Sequence, residues 1–219
     1  MRLFIARHGE CRAQVEPASA DNGDTPLTEH GRQQAHDLGR RLAGERISHI
    51  IASPLARALE TASIVTASVI AETAGDRRAE VWPDLREGMR NRFRFPPRAD
   101  LMARYPLADL PSEFDADGRE YAADTVVSLR ERAEGVLARM RERFGEGDRL
   151  VVVTHGGFYS VLLHAILGIP PERMCWFDFD NCALTVVSLK PETGRVSWPL
   201  YPTWVNEVAF MNDHSHLTT

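Results

Sequence analysis

Two apolar runs in this chain end in a histidine followed by glycine. Leu3 to Ala6 leads into Arg7-His8-Gly9-Glu10, and Leu150 to Thr154 leads into His155-Gly156-Gly157. An imidazole can attack or take a proton, and a guanidinium beside it, here Arg7, can hold an anion meanwhile. Glycine after each histidine lets backbone N–H groups come close to that anion. His155 also directly precedes a predicted helix, whose free N–H groups and dipole favour phosphate or sulfate. A third segment, Ser53-Pro-Leu-Ala-Arg57, adds a guanidinium in the first turns of another helix. Two arginines and two histidines converging at strand ends make a site for a phosphoryl group, gripped in pairs of hydrogen bonds. Each has a plainer reading alone: Arg7-His8 can open a polar loop, and a lone Arg57 is most often a solvated charge.

The elements that must position these residues follow from the apolar pattern. Leu3 to Ala6 reads as a strand buried on both faces, and ligands of open α/β sheets bind beyond the carboxyl ends of such strands. A loop rich in Asp, Asn, Gly and Pro follows, from Pro17 to Pro26. Thr28 can cap a helix running to about Leu42. Ile47 to Ala52 reads as a second strand. Ser53 and Pro54 read as the cap and first residue of a helix continuing to about Glu72. Ala79 to Trp82 is a third strand. Periodicity predicts helices over Val126 to Phe144 and Phe158 to Leu167, the second stopped by Gly168 and Pro170. Ala183 to Leu189 and Arg195 to Leu200 read as two strands joined by a Pro-Glu-Thr-Gly turn. Strands alternating with helices imply an α/β fold, a mostly parallel sheet with helices on both faces. Residues 84–124, rich in proline and charge, read as a partly helical excursion from one domain spanning 1–219, and substrate specificity is expected to lie there.

Composition narrows the function. Of 219 residues, 43% are hydrophobic and 26% charged, as in ordinary soluble proteins, and a net charge of -5 argues against nucleic acid or an anionic membrane as partner. No apolar run approaches the roughly 18 residues of a membrane-spanning helix. Few apolar residues precede Arg7, too few for a secretory signal. Cys11, Cys175 and Cys182 are scattered, without a Cys-x-x-Cys pair, so a reducing cytoplasm is expected rather than a disulfide framework.

Four ordered blocks resemble the histidine phosphatase superfamily, also called the phosphoglycerate mutase-like fold. They are Arg7-His8-Gly9; Asp24-Thr-Pro-Leu-Thr28 with Gly31, Gln34 and Ala35; Ser53-Pro-Leu-x-Arg57-Ala58-x-x-Thr61-Ala62; and Val152-Val-Thr-His155-Gly156-Gly157. Asn181 and Asn212-Asp213 also resemble family positions. The resemblance covers nearly the whole chain. It implies a three-layer sandwich in which His8 is a nucleophile forming a phosphohistidine that water then hydrolyses. Arg7, Arg57 and His155, with Gly156, would hold the phosphoryl oxygens. Glu87, in Leu85-Arg-Glu87, would protonate the leaving oxygen and then activate water. No metal or other cofactor is implied, because side chains supply the positive charge.

The chain departs from the family pattern in places. Cys11 stands where many members have Ser or Thr. Gln14 stands where many have a phosphate-contacting Asn, and its longer amide could still donate. Residues after Glu87 read Gly88-Met-Arg90-Asn-Arg92-Phe-Arg94, unlike the phosphoglycerate mutases. These arginines could attract a second anionic group of a substrate, or form an exposed basic edge. The expected activity is therefore a metal-independent phosphomonoesterase acting on a small phosphorylated metabolite. A phosphoglycerate mutase-type phosphoryl transfer is the alternative. Two remoter readings are a non-catalytic phosphate-binding module and a two-histidine, one-carboxylate iron enzyme built on His8, Glu10 and His155.

Overall fold

The computed structural model describes residues 1–16, 24–73, 77–114, 117–173, 175–190 and 206–218. In chain order the elements are β1 (Arg2–Arg7), α1 (Arg12–Val15), α2 (Glu29–Leu42), β2 (His49–Ala52), α3 (Ala56–Thr73), β3 (Ala79–Val81), β4 (Phe93–Phe95), α4 (Arg98–Arg104), β5 (Ala108–Asp109), β6 (Arg119–Tyr121), α5 (Val126–Arg143), β7 (Arg149–Thr154), α6 (Gly156–Leu167), β8 (Leu184–Leu189) and β9 (Asn206–Asp213).

Seven strands form one sheet in the order β5-β3-β2-β7-β1-β8-β9. The first five are parallel to their neighbours, while β8 pairs antiparallel with both β1 and β9. The unbroken apolar run of β1 is explained by its place between β7 and β8 with a layer on each face. Leu3 and Ile5 pack with α5 and α6, through Val136, Met140, Phe158 and Leu162. Phe4 and Ala6 face the other way, onto Leu38 and Leu42 of α2 and Ala62 and Val65 of α3. The chain is thus a three-layer α/β sandwich. Burying each large side chain of β1 contributes about 1.5–3 kcal/mol.

Three boundaries differ from the sequence pattern. Helix α3 begins two residues after Pro54, because Ser53 turns its hydroxyl to His155 and the Ala56 N–H is instead capped by the Asp24 carboxylate at 2.6 Å. Helix α6 begins at Gly156 rather than Phe158: His155 is extended and hands the chain directly into the helix. The antiparallel partner of β8 is Asn206–Asp213, whose half-buried alternation is weak in sequence. The strand read over 195–200 and the turn before it lie outside the described residues.

The excursion is built from β4, α4, β5 and β6. β4 and β6 pair antiparallel in a small two-stranded sheet, and β5 joins the edge of the main sheet beside β3. Its apolar side chains, Phe95, Leu101, Tyr105 and Phe114, gather with Leu55, Leu59 and Val81 of the α/β body.

Candidate active site

The functional side chains meet beyond the carboxyl ends of β1, β2 and β7, joined in parallel. The register pairs Arg7 with Thr154, so His8 and His155 are the next residues out on adjacent strands. Their rings lie 5.0 Å apart between centroids, and both are buried.

The state of His8 is fixed by its neighbours. Nδ1 lies 2.7 Å from the Gly9 carbonyl oxygen, which can only accept, so Nδ1 carries the proton. Nε2 is left with its lone pair, and it accepts from Arg57 Nε at 3.1 Å. Burial is the main force that lowers the His8 pKa well below 6.5, with the positive charges of Arg57 and Arg7 adding to it. His155 is lowered in the same way, by burial first and then by Arg57, His8, Arg7 and Arg132. Both rings are neutral at physiological pH.

Around these rings stand buried polar atoms that no described residue satisfies. Arg7 gives Nη1 to the Phe179 carbonyl at 2.5 Å, while its buried Nε has no partner among the described residues. His155 bonds Ser53 Oγ through Nε2 at 2.6 Å, and its buried Nδ1 is likewise unpaired among them. Gly156 packs against Arg7: a Cβ there would lie 3.7 Å from the guanidinium carbon. Leaving a buried polar group unsatisfied costs about 1–3 kcal/mol. An oxyanion satisfies such groups.

Glu87 arrives from the segment that follows β3 and a 3₁₀ turn at Pro83–Leu85. Its carboxylate accepts from Gly157 N–H at 3.1 Å, Phe158 N–H at 2.9 Å and Gly88 N–H at 2.9 Å. It therefore caps the first turn of α6, where free N–H groups and the helix dipole attract a carboxylate. That contact is the reason a residue 68 positions before His155 stands beside it.

Further contacts hold the frame. Asn181 donates to the His8 carbonyl at 2.9 Å. Gly9 N–H donates to Thr61 Oγ1 at 3.1 Å. Asp24 lies 3.8 Å from Arg57 Nη1, and burial raises its pKa from 3.8 to about 6 despite that cation. Ser53, Thr61, Asp24 and Asn181 all fall in or near the sequence blocks, yet only the fold shows what each one touches.

The sequence-predicted residues sort clearly. Arg7, His8, Arg57, Glu87, His155 and Gly156 come together. Gln14 exchanges hydrogen bonds with Asn181, which itself donates to the His8 carbonyl, and accepts from the Cys11 N–H. Arg92 and Arg94 are engaged by Glu120 beside the small β4–β6 sheet. Glu10 bonds Thr28 Oγ1 at 2.7 Å, and no three His, Cys, Asp or Glu side chains among the described residues are grouped as metal ligands. No helix among them is long and apolar enough to cross a membrane.

A family model described as histidine phosphatase superfamily (branch 1) matches residues 3–199. The chain belongs to that superfamily. It is 29% identical over 220 residues to "Probable phosphoglycerate mutase GpmB" of Klebsiella pneumoniae (strain 342), covering 99% of this chain and 95% of that one. Its fold is similar to that of the alpha-ribazole phosphatase from Shigella flexneri, with a TM-score of 0.65 at 24% identity, covering 97% and 96% of the two chains. It is also similar to phosphoserine phosphatase from Entamoeba histolytica in complex with 3-phosphoglyceric acid, with a TM-score of 0.63 at 20% identity, covering 99% of each. The superfamily contains phosphatases and mutases, and this chain is similar to both.

Proposed function

We propose that this superfamily member is a metal-independent phosphomonoesterase that works through a phosphohistidine on His8, with a small phosphorylated metabolite as substrate. The observation that carries the reading is the fixed tautomer of His8: Nδ1–H is held by Gly9, and Nε2 keeps its lone pair among guanidiniums.

In the first step Nε2 attacks phosphorus in line, and the bond from phosphorus to the ester oxygen breaks. Glu87, entering this step as the carboxylic acid, gives its proton to that departing oxygen and becomes the carboxylate. Arg7, Arg57 and His155 hold the equatorial oxygens, where fixed donors stabilise developing charge more than water does. In the second step Glu87, now a carboxylate cradled by three backbone N–H groups, takes a proton from water. The hydroxide oxygen bonds phosphorus, the N–P bond breaks, and His8 is regenerated. Side-chain cations carry the phosphoryl charge, so no metal enters either step.

The phosphoglycerate mutase relative favours a second reading in which the same phosphohistidine returns its group to substrate. We favour hydrolysis because Gly88-Met-Arg90-Asn-Arg92-Phe-Arg94 departs from the mutase pattern and commits Arg92 and Arg94 to Glu120. The test is phosphate release from a panel of phosphomonoesters with EDTA present, comparing the native chain with His8→Ala. Turnover lost in the variant, with an acid-labile phosphoryl group trapped on the native protein, supports the phosphatase. Turnover that survives the substitution removes His8 as nucleophile. Exchange between mono- and bisphosphoglycerate without phosphate release assigns the mutase.

A further inference from the structure

Behind Glu87 lies a buried charge cluster that touches none of the phosphate-binding side chains. Arg86 and Arg132 share one carboxylate, Asp124, at 3.5 and 3.1 Å, and all three side chains are less than a tenth exposed. Asp84, itself largely exposed, gives Arg86 a second carboxylate at 3.5 Å, yet burying two guanidiniums around the one buried carboxylate still carries a desolvation cost. Burial accordingly pulls the Arg132 pKa down to about 10, with Arg86 adding to it.

The contacts of Arg132 show what the cluster holds. Nη1 donates to the carbonyls of Asp84 at 2.8 Å and Arg86 at 2.7 Å, and Nη2 donates to the carbonyl of Glu87 at 3.4 Å. These carbonyls belong to the 3₁₀ turn and the irregular stretch after it, which no strand pairs among the described residues. Asp124 completes the grip by accepting the Met89 N–H at 2.9 Å, while its own N–H donates to the Met89 carbonyl at 2.7 Å. The Arg132 guanidinium also lies over the Phe158 ring, 4.6 Å from its centre, and Phe158 is the residue whose N–H holds the Glu87 carboxylate. One side chain of α5 therefore fixes the backbone behind Glu87 and packs on a residue in front of it.

The geometry points to Arg132 and Asp124 as positioning residues for the proton-transfer step, holding Glu87 in register with the leaving oxygen. The inference rests on the reading of Glu87 as the proton donor. It predicts a selective defect. In the first step a P–O bond breaks and the departing oxygen takes the Glu87 proton. A nitrophenolate leaves without that proton, whereas an alkoxide needs it. The direct contacts to the phosphoryl oxygens and to His8 are made by other residues.

The experiment measures kcat/KM for 4-nitrophenyl phosphate and benzyl phosphate in native protein, Glu87→Gln, Arg132→Lys and Asp124→Asn. This constant ends at the first irreversible step, so it excludes the later water-activating role of Glu87. Glu87→Gln should lose about 10²-fold or more on benzyl phosphate relative to 4-nitrophenyl phosphate. Arg132→Lys and Asp124→Asn should show the same bias, at least about 10-fold, as expected for a displaced catalytic group. The nitrophenyl rate serves as a folding control within each sample. Equal loss on both esters, or no loss, in both cluster variants while Glu87→Gln stays selective overturns the positioning role and leaves the proposed function standing. Absence of selectivity in Glu87→Gln overturns the reading of Glu87 itself, and the inference with it.

Discussion

Arg57 Nε donates to His8 Nε2 across 3.1 Å, so the guanidinium rests on the lone pair that would attack phosphorus. That bond must be exchanged for one to a phosphoryl oxygen as the N–P bond forms. Arg57 thus guards the nucleophile in the resting site and stabilises charge in the reacting one. Arg57→Gln should lower kcat by roughly 10²–10³-fold, the usual cost of losing a donor to developing charge. Steady-state kinetics on the best phosphomonoester checks this, and a change confined to KM would contradict it.

The two buried neutral imidazoles give stability a predictable pH dependence. Their folded pKa values lie below the unfolded value of 6.5, so the unfolded chain takes up protons first as pH falls. Stability from these groups is present above about pH 6.5 and is lost progressively below it. Melting temperature followed from pH 7.5 to 5 should fall more steeply for the native protein than for His8→Asn. An unchanged slope would show that His8 charges freely in the folded state.

Asp24 has the opposite sign. Its pKa is raised to about 6 by burial, so its ionised form opposes folding, and stability it contributes below pH 3.8 is lost as pH rises through 6. Asp24→Asn should gain stability relative to the native chain on going from pH 4 to pH 7, by about 2–3 kcal/mol. Its kcat should fall, because the carboxylate beside Arg57 Nη1 and the cap on the Ala56 N–H are both altered. Paired thermal melts and kinetics test the two halves together.

Two glycines separate activity from folding. A Cβ on Gly157 would stand 2.6 Å from Glu87 Oε1, at the movable end of a side chain. Gly157→Ala should fold and lose about 10-fold or more in kcat/KM on alkyl esters, as Glu87 is pushed from the α6 cap. A Cβ on Gly31 would stand 2.0 Å from the Glu10 carbonyl oxygen, where only backbone can yield. Gly31→Ala should cost about 3 kcal/mol or more in urea unfolding.

The basic edge of the small β4–β6 sheet should prove quiet. Arg92 and Arg94 are 79% and 59% exposed and share Glu120. Arg92→Ser and Arg94→Ser should each change stability by no more than about 0.5 kcal/mol, as for most exposed ion pairs. KM should stay within about twofold, which a titration of substrate against either variant checks.

Much of this site is legible in the amino-acid order alone. Arg7-His8-Gly9, Ser53 to Arg57 and His155-Gly156 stand out because a buried strand rarely ends in a cluster of charged groups unless they hold a ligand. The order of α/β elements is equally plain, since doubly buried strands leave continuous apolar runs. Contacts spanning long sequence distances are not legible. Nothing in Ser53 shows that its hydroxyl, which accepts the Leu55 N–H, also reaches His155, nor in Asp24 that it caps a helix 32 residues later. Nothing in Gln14 shows that it exchanges hydrogen bonds with Asn181, 167 positions away. β9 is hidden because an edge strand with a half-wet face carries little apolar signal.

The 5.0 Å between the His8 and His155 rings is close to the pitch of neighbouring strands in any sheet. The spacing of these two groups is therefore stamped by main-chain geometry, as the teeth of a comb are spaced by its spine. Loops drift, lengthen and change composition, whereas strand pitch cannot. Exchanging the stretch between Gly88 and Asp124 for another of different shape should retune which ester is chosen and leave the distance between the two imidazoles where it stands.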